Sequence, residues 1–431
     1  MGRCAAISLI GVCLLSACAA PAPAVPTTTP LPQPTASPIA PTPAPVVVQP
    51  VRPQPAPRPA AEPRASPAAA SLPLSILAGR SGADLRVSLD ALLEEDAFLS
   101  AMALQAASDA RLDEQIGITS MLDQNASTLA GIVGALKGQT AAQALATAWR
   151  AQATDLVAYA HGQPGSVDAH RAAVADNLAT GDFSPVLAMD ALQRRYQAEQ
   201  MLAGSASAHD AANSALQLAS LLAASDDLGH PLARAMAAQL PDLLSANTEG
   251  GDVDVRLHLA SGFTARLLLT AAAAGAAADG RSAQAQAYAA AADSVTADLG
   301  GQLNAAFGSD VGSGVADRLR AQTAAYVAAA QQQDRPQAAA DIDHLRGEID
   351  GLLSGADLLL APRLLSQQQR ASDQPLLSAA DAFAARDFAS AYARVHEAVR
   401  QAQKPAETLA LAIIDRYPAR YLVLATPTPT R

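Results

Sequence analysis

The stretch that decides the fold runs from Ala141 to Ala160: Ala-Ala-Gln-Ala-Leu-Ala-Thr-Ala-Trp-Arg-Ala-Gln-Ala-Thr-Asp-Leu-Val-Ala-Tyr-Ala. Its large apolar residues, Leu145, Trp149, Leu156 and Tyr159, recur at the spacing of one helix face, on a background of alanine, the strongest helix former. Upstream, Leu85, Leu89, Leu92, Leu99 and Met102 draw the same stripe. Alanine supplies 107 of the 431 residues, and alternating runs rich in Val, Ile and Thr are missing. From about 75 to 423 the chain therefore reads as helix, punctuated at Gly138, Gly162-Gln163-Pro164-Gly165, Gly204, Asp279-Gly280, Gly308 and Pro336. The intervals suit bundle helices. The longest apolar run, Leu267 to Ala278, is short for a membrane span.

The helical region repeats itself. Asp123 to Gly138 matches Asp293 to Gly308 at an offset of 170, which also pairs Arg150-Ala151-Gln152 with Arg320-Ala321-Gln322. Further on the offset is 177, pairing Asp210 with Asp387, Leu232-Ala233 with Leu409-Ala410 and Pro241 with Pro418. Near the start it reads as 168, pairing Val87 with Val255 and Leu89 with Leu257. The expectation is an all-α fold of two tandem antiparallel helical bundles, one over 75–247 and one over 252–423, each with enough chain for its own core. Asp210 and Asp387, each followed by helix, suit N-terminal caps or first-turn charges.

Two apolar stripes carry polar residues where the core should be. Asp96 lies between Leu92 and Leu99, and Gln152 between Trp149 and Leu156. The second unit repeats the pattern with Thr264, between Ala260 and Leu267, and Gln322, between Leu319 and Tyr326. Buried polar groups are costly unless paired. The simplest expectation is an Asp96–Gln152 contact and a Thr264–Gln322 contact, either fixing helix register or lining a small polar pocket.

Ahead of the helical region, residues 19 to 72 hold 17 of the 29 prolines, interleaved with Ala, Thr, Val and Ser. Such a segment favours polyproline II and forms no core, so 18–74 reads as a disordered stalk. At about 3.1 Å per residue its span is at most roughly 170 Å. Residues 424–431 read as a disordered tail. The first residues hold Arg3, a short apolar run from Ala5 to Leu15, and Leu15-Ser16-Ala17-Cys18. That run has the size of a signal-peptide core.

Leu15-Ser16-Ala17-Cys18 resembles the lipobox of bacterial lipoproteins. The resemblance implies that residues 1–17 are a signal peptide, and that the Cys18 sulfur receives a diacylglycerol and becomes the new N-terminus. The chain would then be held by its lipid at the extracytoplasmic face of a cell membrane or envelope. Several acyl chains give stable anchoring where one would not. Cys4 and Cys13 would leave with the signal peptide, and the mature chain would hold no free thiol. Each helical unit also resembles an uncharacterised helical domain of exported bacterial proteins, in which Trp-Arg-x-His opens a central helix and a closing helix runs into proline. Trp149-Arg150-Ala151-Gln152 follows that pattern except for Gln152, and Leu409 to Pro418 follows the close. Asp96 stands where that family's first helix carries another histidine.

Composition limits function. The net charge is −11, and residues 73–431 carry −14 of their own, which disfavours nucleic acid. Aromatics at 3 % leave little to stack bases or sugars. There is no Walker loop, no Gly-x-Ser-x-Gly elbow and no His-Glu-x-x-His. Gly308 through Gly312-Ser313-Gly314 has no strand before it and reads as a helix connection. His344 and Glu348, with Asp341 nearby, have ligand spacing on one helix, yet a bundle metal site needs carboxylates and histidines from several helices. A solvated charged face accounts for them better. No catalytic, cofactor-binding or metal-ligating residue is assigned. The favoured reading is a non-enzymatic, lipid-anchored binding or envelope-structural module. The alternative is an extracytoplasmic protein that binds a cation or small ligand in a polar pocket inside the bundle.

Overall fold

A computed structural model describes residues 81–163, 167–241, 247–332, 335–361 and 363–421. The expected signal segment with Cys18, the expected stalk over 18–74 and the expected tail over 424–431 lie outside the described residues. All named elements are helices. The first repeat supplies α1 (Gly82–Ser108), α2 (Leu112–Lys137), α3 (Gln139–Ala160), α4 (Val167–Leu178), α5 (Pro185–Ser207), α6 (Ala211–Ala223) and α7 (Asp226–Gln239). The second supplies α8 (Gly251–Ala278), α9 (Ser282–Phe307), α10 (Ser309–Ala330), α11 (Arg335–Ala356), α12 (Leu364–Ala384), α13 (Phe388–Arg416) and the single turn α14 (Pro418–Tyr421).

The repetition extends into the backbone. Left-handed residues close corresponding helices at Ala110 and Gly280, Gly138 and Gly308, and Gly162 and Gln332, all 170 apart. His209 and Arg386 do so at 177. Gly138 and Gly308, with φ of 89° and 100°, are the whole connection between α2 and α3 and between α9 and α10. Glycine adopts this conformation without the strain a Cβ would bring. Asp210 and Asp387 cap α6 and α13, each carboxylate accepting a bond from the backbone N–H three residues on, at 3.0 and 3.2 Å.

Three details differ from the sequence reading. Gly204 does not end a helix but lies inside α5, with open space around it. Gly312-Ser313-Gly314 is not a loop but the second turn of α10. A Cβ on Gly312 would lie 2.4 Å from the Asn304 backbone nitrogen, so this glycine permits close packing on α9. Finally, α1 and α8 are unbroken helices, so one offset must hold along both. The turns after them fix it at 170, which makes Arg86 and Arg256 counterparts and matches Asp96 with Arg266, not with Thr264.

Bundle packing is present, but the two repeats do not stand apart, and both fall in one compact unit. α1 and α8 lie against each other at the centre. α13 of the second repeat packs on α2 of the first, and α6 of the first packs on α9 of the second. One apolar cluster belongs to the first repeat alone, around Leu89, Trp149 and Leu192. A second, around Phe263, Leu303 and Ile413, is almost wholly of the second. The largest draws on both, joining Phe98, Ile118 and Leu218 to Leu268, Tyr288 and Tyr392. Alanine helices approach closely but bury little area each, so a repeat gains apolar contact by sharing its central face. α8 is long and apolar enough to cross a membrane by length and composition, contrary to the estimate from Leu267–Ala278 alone. Here 83 % of its most apolar window is buried in protein, which makes it a core helix.

Polar bonds tie the repeats across this centre. Arg86 lies 3.7 Å from Asp254, and its counterpart Arg256 bonds Asp84, the counterpart of Asp254. Tyr392 donates to Glu114 at 2.7 Å, and Gln105 to Tyr288.

Candidate functional site

Asp96 and Gln152 are both buried and line one cavity, but no hydrogen bond joins them. The Trp149 indole N–H donates to Asp96 Oδ1 at 3.1 Å, and the Arg195 guanidinium donates to Oδ2 at 2.5 Å. Arg195 also donates to Glu199, one turn on, at 3.0 Å, and lies over the Trp149 ring with 5.6 Å to its centre. Burial alone would weaken Arg195's hold on its proton, but Asp96 and Glu199 outweigh it and the pKa is raised. Burial pushes the Glu199 carboxyl up against the pull of Arg195. Gln152 lines the cavity, and its buried Oε1 has no hydrogen-bond partner. The cavity measures about 10 Å³. That is at most one water molecule.

The expected Thr264–Gln322 contact is also replaced. Thr264 is fully buried with its hydroxyl unpaired. Gln322 instead accepts from Arg266 at 3.3 Å, and Arg266 donates to the Leu319 carbonyl at 2.8 Å. Burial pulls the Arg266 pKa down. Across the same pocket Asp373 accepts from the Tyr326 hydroxyl at 2.7 Å and from Arg346 at 3.0 Å. Its carboxyl is pushed up by burial, against those two donors. This cavity is about 30 Å³, again the size of one water.

The two centres place their charges in opposite order on the same pair of helices. In the first repeat the carboxylate stands on the first helix and the guanidinium on the fifth, α5. In the second, Arg266 stands on the first helix, α8, and Asp373 on the fifth, α12. Asp96 pairs directly with its arginine, whereas Arg266 feels Asp373 at longer range.

Arg195 and Glu199 were not singled out from the sequence. A signal existed: Ala188, Leu192, Arg195, Glu199 and Leu202 form one helical stripe with a charged pair at its middle. The remaining candidates are exposed. His344 lies 3.6 Å from Glu348 on the surface of α11, and Glu348 also pairs with Arg318 at 3.2 Å. Among the described residues no three His, Cys, Asp or Glu side chains converge as metal ligands.

A larger cavity, about 270 Å³, opens between α1, α8 and α13. Arg256 stands in it between Asp84 and Glu407, the latter at 3.1 Å. No protein-family model, curated protein or solved structure matches the chain.

Proposed function

We propose that this chain is a lipid-anchored protein of the extracytoplasmic face, tethered through Cys18, whose helical body serves as a binding or envelope-structural module rather than as an enzyme. Leu15-Ser16-Ala17-Cys18 behind a short apolar run carries this reading, and no cysteine follows Cys18. Two further features support it. A stalk of 17 prolines suits a spacer between bilayer and body, and the interior polar centres are filled by their own side chains. Each has room for a water and nothing larger. That is the geometry of buried hydrogen bonds that fix helix register. Expression in a lipoprotein-processing bacterium tests the anchor. The wild-type chain is expected in the membrane fraction with a mass increase on the Cys18 peptide, and Cys18→Ser in the soluble fraction without it. Undiminished membrane recovery of Cys18→Ser overturns the reading.

The cavity between α1, α8 and α13 favours a second reading, small-ligand binding. Its two carboxylates against one guanidinium suit a small organic cation or a metal ion. Stabilisation by a metal or an alkylamine in a thermal-shift panel, lost in Glu407→Gln, would support it.

A further inference from the structure

The acid row of α1 holds two carboxyl groups that the pairs above do not use. Asp90 and Glu94 lie one turn apart on the face turned to α7 and α8, and each is only 2 % exposed. No N–H or O–H donor pairs with either Asp90 oxygen, whose polar neighbour is the Asp226 carboxyl of α7, and Glu94 Oε2 has no partner. The other Glu94 oxygen accepts from the Ser261 hydroxyl of α8. Backbone closes over the pair: a Cβ on Gly229 of α7 would fall 1.7 Å from Asp90 Oδ1.

The groups facing them add no free positive charge. On α1 itself, Arg86 is committed to Asp226 of α7, with bonds of 3.0 Å to both oxygens, and to the Thr248 carbonyl at 3.1 Å. From α7, Asp226 adds a negative charge that acts on both carboxyls. From α8 come Ser261 and Asp254, the latter beside Arg86. The neighbouring acids of α1 have partners of their own, Glu95 the His396 ring of α13 at 2.9 Å and Asp96 the Arg195 guanidinium of α5. Two ionised carboxylates, one turn apart and out of water, have only Arg86, already shared with Asp226, to offset them, and no third metal-binding ligand joins them among the described residues.

We propose that Asp90 and Glu94 form a proton-binding site, filled at neutral pH, whose two neutral carboxyls let α7 and α8 close on α1. The ligand is the proton itself, and its release in alkaline medium puts two like charges into a dry interface and loosens that packing. Burial pushes both groups well above the ordinary carboxylate range, which agrees with the geometry. The effect on stability follows from that direction. The contribution of the protonated pair is complete below the unfolded carboxyl range, at about pH 4, and is lost as pH rises through the folded values. The site is confined to the first repeat, because the counterparts of Asp90 and Glu94 on α8 are Ala260 and Thr264.

Infrared spectroscopy of the purified full-length protein tests the proposal, since only a protonated carboxyl gives the high-frequency C=O stretch. At about pH 7 the wild type is expected to show that band, weakened by two carboxyl equivalents in Asp90→Asn/Glu94→Gln and shrinking in the wild type as the medium turns alkaline. The unfolding midpoint of the wild type should fall relative to the double variant as pH rises above the ordinary carboxylate range. An unchanged band in the double variant overturns the proposal. So does a wild type with no band at neutral pH, a result that needs no variant to fold. So does a midpoint that depends on sodium or potassium at constant ionic strength, which would make the occupant a metal ion.

Discussion

The two repeats share a helix order and differ most in their first helix. α1 buries Arg86, Asp90, Glu94, Glu95 and Asp96, and at those places α8 carries Arg256, Ala260, Thr264, Ala265 and Arg266. One central helix is thus acidic and the other nearly neutral, although both are enclosed by the same kinds of apolar neighbour. The comparison teaches how a duplicated alanine-rich bundle distributes its buried charge. A buried carboxylate of α1 is met by Arg195, by His396 or by no basic side chain of its own. On α8, backbone and amide oxygens meet Arg266, and the carboxylates of Asp84 and Glu407 meet Arg256.

The sharpest way to break the comparison is to remove one partner in each centre. Arg195→Met should cost about 3–5 kcal/mol, because it strands Asp96 beside Glu199 in the interior. Arg266→Met should cost less, about 1–3 kcal/mol, because it frees a carbonyl and an amide and no charge. Urea unfolding of both variants checks the order, and equal losses would show the two centres to be energetically alike. Next, Gly229→Ala should cost about 1–3 kcal/mol by forcing Asp90 or α7 to move. That loss should shrink in the Asp90→Ala background, a coupling that a double-mutant cycle reads.

Gln152→Leu and Gln322→Leu test the glutamines that both repeats kept. Each amide has one buried atom without a partner, Oε1 in Gln152 and Nε2 in Gln322. Gln322 also receives a bond from Arg266, so its replacement should cost about 1 kcal/mol more than that of Gln152. Smallest and opposite in sign, Gly204→Ala should stabilise by about 0.5–1 kcal/mol, because the residue is helical and meets nothing.

Much of this body was legible in the residues. The stripe around Trp149 placed α3, Gly138 and Gly308 marked turns, and Asp210 and Asp387 proved to be caps. Asp96, Gln152, Thr264 and Gln322 are all buried, as their stripes implied. Their partners were not legible. A helical stripe tells which face is buried, not which helix covers it, and Arg195 reaches Asp96 from 99 residues away. The register between α1 and α8 was hidden for a related reason: runs of Ala and Leu match at several offsets, and only the rigid continuity of both helices selects one.

By itself the sequence determined the periodicity, the breaks and the doubling, because helix propensity and backbone conformation are local properties of a few residues. The tertiary structure alone decided that the repeats share a core, that α1 and α8 meet at its centre, and which buried acids found a cation. Those outcomes depend on how far each helix must go to cover apolar area that alanine supplies thinly. That is a property of the whole packed body, not of any segment.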